Sequence, residues 1–198
     1  MDRSKVKSQV RPSLHQNDHA RHWELLINFF LIATSALFIY ISVAYYVTWY
    51  ENTSYVSKYH VLAMLLLLPS GYLMRELTKC FDHEADWKLI TNLGISMISA
   101  ILFCSMQWLA WEDKILSDPD ASIFIFYLVV AHGAYTFFTL IGTMMATFVV
   151  GRKLSDPIKR LIFYTNGFER MKLNLWARVW LFINVSWAVI LAFFLLIE

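Results

Sequence analysis

Charged residues are scarce in this chain. Asp, Glu, Lys and Arg together make up 16% of its 198 residues, whereas soluble domains usually contain about 25%. Hydrophobic residues make up 58%. This balance excludes an ordinary soluble domain, and the formal net charge of +2 is too small to indicate a nucleic-acid partner. The composition predicts an integral membrane protein with little mass outside the bilayer.

Cysteine is also nearly absent. The two cysteines, Cys80 and Cys104, are far apart in sequence and belong to no metal-binding or redox motif. The first 22 residues have no apolar core and no small-residue cleavage site, so we expect no cleavable signal peptide. Their polar, basic composition predicts a disordered tail over residues 1–22. A membrane-embedded domain is predicted to follow over residues 23–198.

What the chain has in abundance is uninterrupted apolar sequence. The run from Ala121 to Gly151 contains no Asp, Glu, Lys or Arg, and about 20 apolar residues are enough to cross a bilayer as a helix. Four further apolar segments are present, so the predicted fold class is an all-α bundle of five transmembrane helices. The predicted helices cover residues 25–50, 59–77, 89–111, 121–150 and 175–197.

Positive charges are distributed unequally between the two sides of such a bundle. Fifteen Lys and Arg residues lie in the tail and in or next to the connections after the second and fourth segments, whereas the opposite loops contain Lys58 and Lys114. Because positive charge stays on the cytoplasmic side, we predict a cytoplasmic N-terminus and a C-terminus outside. The basic stretch 152–172 interleaves apolar residues, which predicts a short amphipathic segment on the anionic inner surface. A solvated basic loop is the alternative.

Polar residues inside the segments are few and mostly neutral. The central parts of the segments contain no Asp, Glu, Lys or Arg, which argues against a proton pump, an ion-coupled carrier or a voltage sensor. His132 lies deep in the fourth segment and needs a hydrogen-bonding partner on another helix. Haem ligation would need a second histidine at similar depth, but His60 lies much nearer the outer surface and His83 lies in an inner loop. We therefore expect a packed structural histidine, with no catalytic residue, metal or cofactor in this chain.

Other polar and aromatic residues within the segments are predicted to join helices or to face lipid or a partner subunit. Trp180, Asn184 and Trp187 are spaced i, i+4 and i+7 and share one helix face. Small residues in the fourth segment would let a neighbouring helix approach closely, and these are Gly133, Ala134, Gly142, Thr143 and Ala146. The full predicted set of structural, lipid-facing or partner-facing residues is Ser35, Gln107, Trp111, His132, Tyr135, Trp180, Asn184 and Trp187.

Short motifs in the five segments occur in a familiar order. The last segment reads Trp180-Leu181-Phe182-Ile183-Asn184-Val185-Ser186-Trp187, close to the pattern Trp-His-Phe-Val-Asp-x-x-Trp. The fourth has His132-Gly133-Ala134-Tyr135 in place of His-Gly-x-His, and the third has Gln107-Trp108-Leu109-Ala110-Trp111 in place of Gln-x-x-Glu-Trp. The second and first segments contribute Leu68-Pro69-Ser70 and Ala33-Thr34-Ser35-Ala36. Together they resemble subunit III of the haem-copper oxidases, the cytochrome c oxidase subunit III family, in its five-helix bacterial form.

The departures from that family share a direction, because residues that are ionisable in the family are neutral here. A Glu is replaced by Ser35, a second His by Tyr135 and another Glu by Ala110, while the last segment has Leu181 for His and Asn184 for Asp. The resemblance therefore implies a divergent, non-catalytic subunit without haem or copper. The lost Glu weakens the case for a role in proton uptake.

The resemblance implies an accessory subunit of a respiratory terminal oxidase in a bacterial inner membrane, with a respiratory supercomplex as one setting. The expected partners are catalytic subunit I and other respiratory subunits, which would carry the haem and copper. Phospholipid is expected in a cleft between helix groups. Two alternatives stay open. One is a subunit III-like protein of a nitric oxide reductase, and the other is a small-molecule carrier or channel with a neutral pore.

Overall fold

The computed structural model describes residues 14–49, 57–117 and 119–197, with side chains described for 21–43, 57–113, 132–193 and 195. Within these ranges the chain is almost entirely helical and contains no strand. Five of its helices are long and apolar enough to cross a membrane, as in a multi-pass membrane protein. The predicted all-α class and the predicted number of helices of membrane-spanning length are confirmed for the described residues.

Seven helices follow one another along the described residues. The five long helices are α1 (Leu14–Trp49), α2 (Lys58–Arg75), α4 (Asp86–Ser117), α5 (Pro119–Leu154) and α7 (Gly167–Ile197). The two short helices are α3 (Leu77–Asp82) and α6 (Pro157–Thr165). Since α3 connects α2 to α4 and α6 connects α5 to α7, both short helices lie at the same end of the bundle.

Several helices extend beyond the predicted apolar segments. α1 begins at Leu14, so residues 14–22 of the predicted tail are helical, and α7 begins at Gly167 rather than near Leu175. Apolar content marks only the part of a helix that suits hydrocarbon, whereas the backbone hydrogen bonds continue through polar residues. The first thirteen residues of the predicted tail, and Tyr50 at the end of the first predicted segment, lie outside the described residues.

A capping box fixes the start of α2. The Ser57 hydroxyl oxygen accepts from the Tyr59 backbone N–H at 3.4 Å, and the His60 Nδ1 accepts from the Ser57 N–H at 3.2 Å. Histidine here takes the role that Glu or Gln usually has in this motif. The Ser57 hydroxyl also donates to the Asp113 Oδ2 at 2.9 Å, which ties the start of α2 to the end of α4.

The predicted amphipathic segment between the last two spans is the helix α6. Its N-cap is Asp156, whose Oδ1 accepts from the N–H groups of Ile158 at 2.9 Å and Lys159 at 3.3 Å. These backbone bonds, with that of Lys159 the larger effect, hold the pKa of Asp156 below its ordinary value. Pro157 at the first helical position suits this start.

The inner face of α6 binds the α3–α4 corner. Phe163 and Tyr164 are buried, and their rings lie 5.1 and 5.2 Å from the ring of Phe81. The Tyr164 hydroxyl donates to the Asp86 Oδ1 at 2.6 Å, and burial together with this bond raises the pKa of Tyr164. Arg160 forms an ion pair with the same carboxylate at 2.9 Å. The outer face of the helix, by contrast, exposes Ile158, Leu161 and Ile162.

The core of the bundle is organised around α7, which contacts α1, α2, α3, α5 and α6. α2 and α4 pack along each other as an antiparallel pair. α2 and α7 approach closely at Gly71, where an added Cβ would lie 2.9 Å from the Asn184 Cγ. α1 is more peripheral, and it contacts α5 and α7.

Candidate functional site

His132 is fully buried and joins α5 to α7. Its Nε2 lies 3.2 Å from the Ile183 carbonyl oxygen and 3.1 Å from the Ser186 hydroxyl oxygen. Because the Ser186 hydroxyl itself donates to the Ile183 carbonyl at 3.0 Å, the imidazole is assigned as the tautomer that donates from Nε2. The Nδ1 then faces the Thr136 hydroxyl at 3.5 Å. The partner predicted on another helix is therefore provided by α7.

Aromatic rings from three other helices surround this imidazole. Ring centroids lie 5.8 Å away for Phe38 of α1, 5.5 Å for Phe103 of α4 and 5.0 Å for Trp187 of α7. Four of the five long helices thus meet at His132. We call these four residues the histidine cluster.

His60 approaches the same cluster. Its ring centroid lies 5.8 Å from that of Trp187, which also contacts His132. The predicted difference in depth between the two histidines stays a prediction, and the large ring of Trp187 contacts both of them. Within the described residues, no group of three or more His, Cys, Asp or Glu side chains could hold a metal ion.

A second contact between α5 and α7 centres on Thr143. Its hydroxyl oxygen accepts from the indole N–H groups of both Trp176 and Trp180 at 3.0 Å, and its hydrogen is donated to the Thr139 carbonyl at 2.8 Å. This uses all three hydrogen-bonding positions of the hydroxyl. We call this arrangement the threonine–tryptophan seam. From the sequence, Thr143 was predicted only to be a small residue, although the i, i+4 spacing of Trp176 and Trp180 indicates a shared helix face.

Next to the threonine–tryptophan seam, α5 and α7 pack closely at Gly142. An added Cβ at Gly142 would lie 2.4 Å from the Cη2 of Trp176, whereas one at Gly133 would meet no described atom within 4 Å. The predicted role of small residues therefore fits Gly142 and does not fit Gly133 within this chain.

The structure brings four of the eight predicted residues to the α5–α7 contact. His132, Trp180 and Trp187 are buried there, and the Tyr135 ring stacks on Phe30 at 5.6 Å and meets the Phe182 ring edge-on at 5.7 Å. Asn184 is buried on α7 but faces Gly71 of α2. The other three lie elsewhere, and two of them are half-buried. Ser35 donates to the Leu31 carbonyl of its own helix, Trp111 packs on Trp108, and Gln107 is buried on α4.

Some buried polar atoms in the predicted set have no hydrogen-bond partner among the described residues. They are both amide atoms of Gln107, the Asn184 Oδ1, the Tyr135 hydroxyl and the Trp187 Nε1. Buried polar groups are normally satisfied, so these atoms are positions where bound water or another molecule would complete the hydrogen bonding.

A groove is the second candidate site. It has a volume of about 450 Å³ and lies between α1, α5 and α7, with Phe163 of α6 at its edge. Its wall is mainly apolar and includes Ile27, Met145, Val149, Leu173 and Trp176. Its charged members are Lys153, Glu169 and Lys172. This groove was not predicted from the sequence, because its walls come from segments far apart in the chain.

Comparison with known proteins does not assign the chain to a family. No protein-family model matches the chain, and no curated protein matches its sequence. The resemblance to subunit III therefore depends on the motifs alone and stays a prediction. The structure itself defines a class, which is a bundle with five helices long and apolar enough to cross a membrane. Its described polar contacts between long helices include those that join α5 to α7 and those that join α2 to α4.

Proposed function

We propose that this chain is a non-catalytic accessory subunit of a respiratory haem-copper terminal oxidase. It would pack beside catalytic subunit I in a bacterial inner membrane, bind phospholipid and stabilise the assembly. A respiratory supercomplex is a compatible setting. Haem and copper would belong to partner subunits, so this chain would not be an enzyme although the whole complex would be one.

The observation that carries this proposal is that polar side chains buried within the long helices form hydrogen bonds between helices. The imidazole of His132 and the hydroxyl of Thr143 are both hydrogen-bonded across the α5–α7 contact. Each bond fixes one helix against another, which is the work expected of a structural subunit. The motif resemblance, with ionisable positions made neutral at Ser35, Tyr135 and Asn184, points in the same direction.

The apolar outer surface of the bundle supports a role in which the chain contacts lipid or another protein. Large apolar side chains are exposed along one side of α1, including Phe29 at 73% and Ile32 at 68%, and along α5, including Phe138 at 71% and Phe148 at 65%. Contiguous apolar surface of this kind marks contact with lipid or with another protein. With the N-terminus in the cytoplasm, as the positive charges predict, α3 and α6 would lie on the inner side.

The proposal is tested by purifying the complex through an affinity tag on this chain in a mild detergent. An optical spectrum and mass spectrometry of the co-purifying proteins are then recorded. We expect haem-copper oxidase subunits and an oxidase-type haem spectrum. A stoichiometric haem or metal on the separated chain, or a colourless preparation of this chain alone, would contradict the proposal.

A nitric oxide reductase is the second candidate partner. The neutral replacements, such as Ser35 and Asn184, would suit a complex that does not pump protons. In the same purification, nitric oxide reductase subunits in place of oxidase subunits would establish this alternative. A stable chain without partners would instead favour the carrier or channel hypothesis, which is tested by solute flux in vesicles that contain this chain alone.

A further inference from the structure

We infer that the groove between α1, α5 and α7 binds one acyl chain of an inner-leaflet phospholipid, whose phosphate contacts Lys153 and Lys172. This inference rests on the phospholipid binding in the proposed function, and it assigns a position and a chemistry to it. It does not depend on which respiratory complex the chain joins.

The shape and lining of the groove suit an acyl chain. Its volume of about 450 Å³ lies within the range of about 300–1,000 Å³ that is usual for small-molecule sites. The long wall is formed by apolar side chains such as Ile27, Val149 and Leu173. Met145 and Val149 are also exposed on the outside of the bundle, so the groove opens sideways, toward the position of the bilayer.

The length of the groove matches one leaflet. It extends along α5 from Lys153 to Gly142, which at 1.5 Å per residue is about 16 Å. The hydrocarbon core of a bilayer is about 30 Å thick, so half of it is close to this length. At its deep end the ring of Trp176 packs on Gly142.

The charges are concentrated at the other end. Lys153 Nζ lies 3.0 Å from the Glu169 Oε2, and Lys172 Nζ lies 3.1 Å from the Glu169 Oε1. One carboxylate therefore holds two ammonium groups side by side and leaves a net positive charge. Each ammonium has three donors. One bonds to Glu169, and the ammonium groups of Lys153 and Lys172 also lie over the rings of Phe163 at 5.7 Å and Phe168 at 4.4 Å. The remaining donors suit the oxygens of a phosphate.

The position of these charges favours a lipid over a partner helix. Lys153 and Lys172 lie near the ends of the apolar spans of α5 and α7, at the level where phospholipid headgroups are found. Trp23 of α1, which is 54% exposed, lies on the same groove and is a side chain typical of membrane interfaces. An apolar partner helix would fill the groove but would bring no anion to the two lysines.

The test uses the full chain reconstituted in vesicles of dioleoyl phosphatidylethanolamine and dioleoyl phosphatidylglycerol, then extracted in mild detergent. Native mass spectrometry measures the phospholipid that stays bound. Replacing both lysines, as K153Q/K172Q, should lower retention roughly tenfold, since each lysine contributes appreciably to binding an anionic headgroup. The matched control is K79Q/K159Q, which removes two exposed, ion-paired lysines outside the groove and should leave retention unchanged.

A second pair of variants tests the acyl-chain part. Ala146 lines the groove, so A146F should block it and release the lipid, whereas M144F places the same side chain on an exposed position and should have no effect. Equal retention in all variants would mean that only surrounding bilayer lipid is carried along, which overturns the inference. Loss in K153Q/K172Q with full retention in A146F would also overturn it, because the lipid would then bind by its headgroup alone.

The same samples separate this inference from the proposed function. Mass spectrometry of complexes purified through the tagged chain reports the partner subunits and the bound lipid together. Oxidase subunits retained without groove-dependent lipid would overturn only the lipid site. Groove-dependent lipid on a chain without oxidase subunits would overturn only the proposed partner.

Discussion

α1 and α7 are both long apolar helices, but they relate differently to the rest of the chain. Half of the residues in the most apolar 18-residue stretch of α7 are buried inside the structure, whereas 6% are buried in the corresponding stretch of α1. In lipid, apolar surface gains little by moving from hydrocarbon to a protein surface. Apolar content therefore does not decide which helix becomes central. Other features of the two helix sequences must decide it.

The hydroxyl and indole groups within the apolar parts of the two helices differ in where they bond. On α1, the hydroxyls of Thr34, Ser35 and Ser42 each donate at 2.8 Å to a carbonyl one turn earlier in the same helix. On α7, the indole N–H groups of Trp176 and Trp180 donate to Thr143 of α5. Polar groups that bond within their own helix leave its surface free, whereas those that bond across helices fix its position. Five pairs of variants test this comparison by equilibrium unfolding in mixed micelles with an increasing fraction of sodium dodecyl sulfate.

The largest effect is expected at His132. The substitution H132A leaves a cavity among aromatic rings and removes the bonds to Ile183 and Ser186, so the free energy of unfolding should fall by about 3 kcal/mol. The exposed His83 provides the control H83A, which should change it by less than about 0.5 kcal/mol. Equal effects of the two variants would mean that the histidine cluster does not hold α5 to α7.

The next variants separate the two sides of α1. Phe38 is 6% exposed and packs on His132, whereas Phe29 is 73% exposed on the same helix. We expect F38A to lower the free energy of unfolding by about 2 kcal/mol, because a cavity forms. F29A should leave it within about 0.5 kcal/mol of the original value. A large loss in F29A would show that the outer face of α1 is covered within the chain.

The threonine–tryptophan seam is tested by T143V. This substitution removes the acceptor of two indole N–H groups, and we expect a loss of about 1–2 kcal/mol. T147V is the matched control, since the Thr147 hydroxyl donates only to the Thr143 carbonyl of its own helix among the described contacts. If the two variants behave alike, the indole groups find other partners and the seam is not the reason for the central position of α7.

Two glycines on α5 should respond with opposite signs. In G142A the new methyl group would overlap the ring of Trp176, and we expect a loss of about 1 kcal/mol because overpacking exceeds the gain in helix propensity. In G133A the methyl group meets open space among the described residues, so stability should rise by up to about 1 kcal/mol. If G142A instead stabilised the protein, α7 would have to lie farther from α5 than it does in the structure.

The smallest effect is expected at an ion pair between α1 and α7. Arg178 Nη1 lies 2.8 Å from the Glu24 Oε1, and both side chains are more than 40% exposed. E24Q should lower the free energy of unfolding by less than about 1 kcal/mol, and the loss should shrink further in high salt. E76Q, which breaks the exposed Lys79–Glu76 pair away from α1, is the control. Amide exchange should increase in α1 for E24Q and not for E76Q.

The sequence predicted the parts of the fold that depend on local composition. The number of long apolar helices follows from apolar runs, and the shared helix face of Trp180, Asn184 and Trp187 follows from their spacing. The structure shows that this face is buried. Gly142 was also identified as a small residue next to a close neighbour. These features need no knowledge of which helices meet.

Features that depend on a partner helix were not predictable in the same way. The acceptor role of Thr143 requires knowing that α7 places two indoles opposite it. The approach of His60 and His132 to one tryptophan was missed because depth along a helix does not report how far a large ring on another helix reaches. The groove between α1, α5 and α7 was missed for the same reason.

The central position of α7 has a consequence for biosynthesis. A ribosome makes α1, α2, α4 and α5 before it makes α7, so these four long helices are complete while α7 is still missing. Until α7 is made, Thr143 and His132 lack their cross-helix partners. The incomplete chain therefore exposes polar side chains that the finished chain hides, and membrane quality control could recognise it through them.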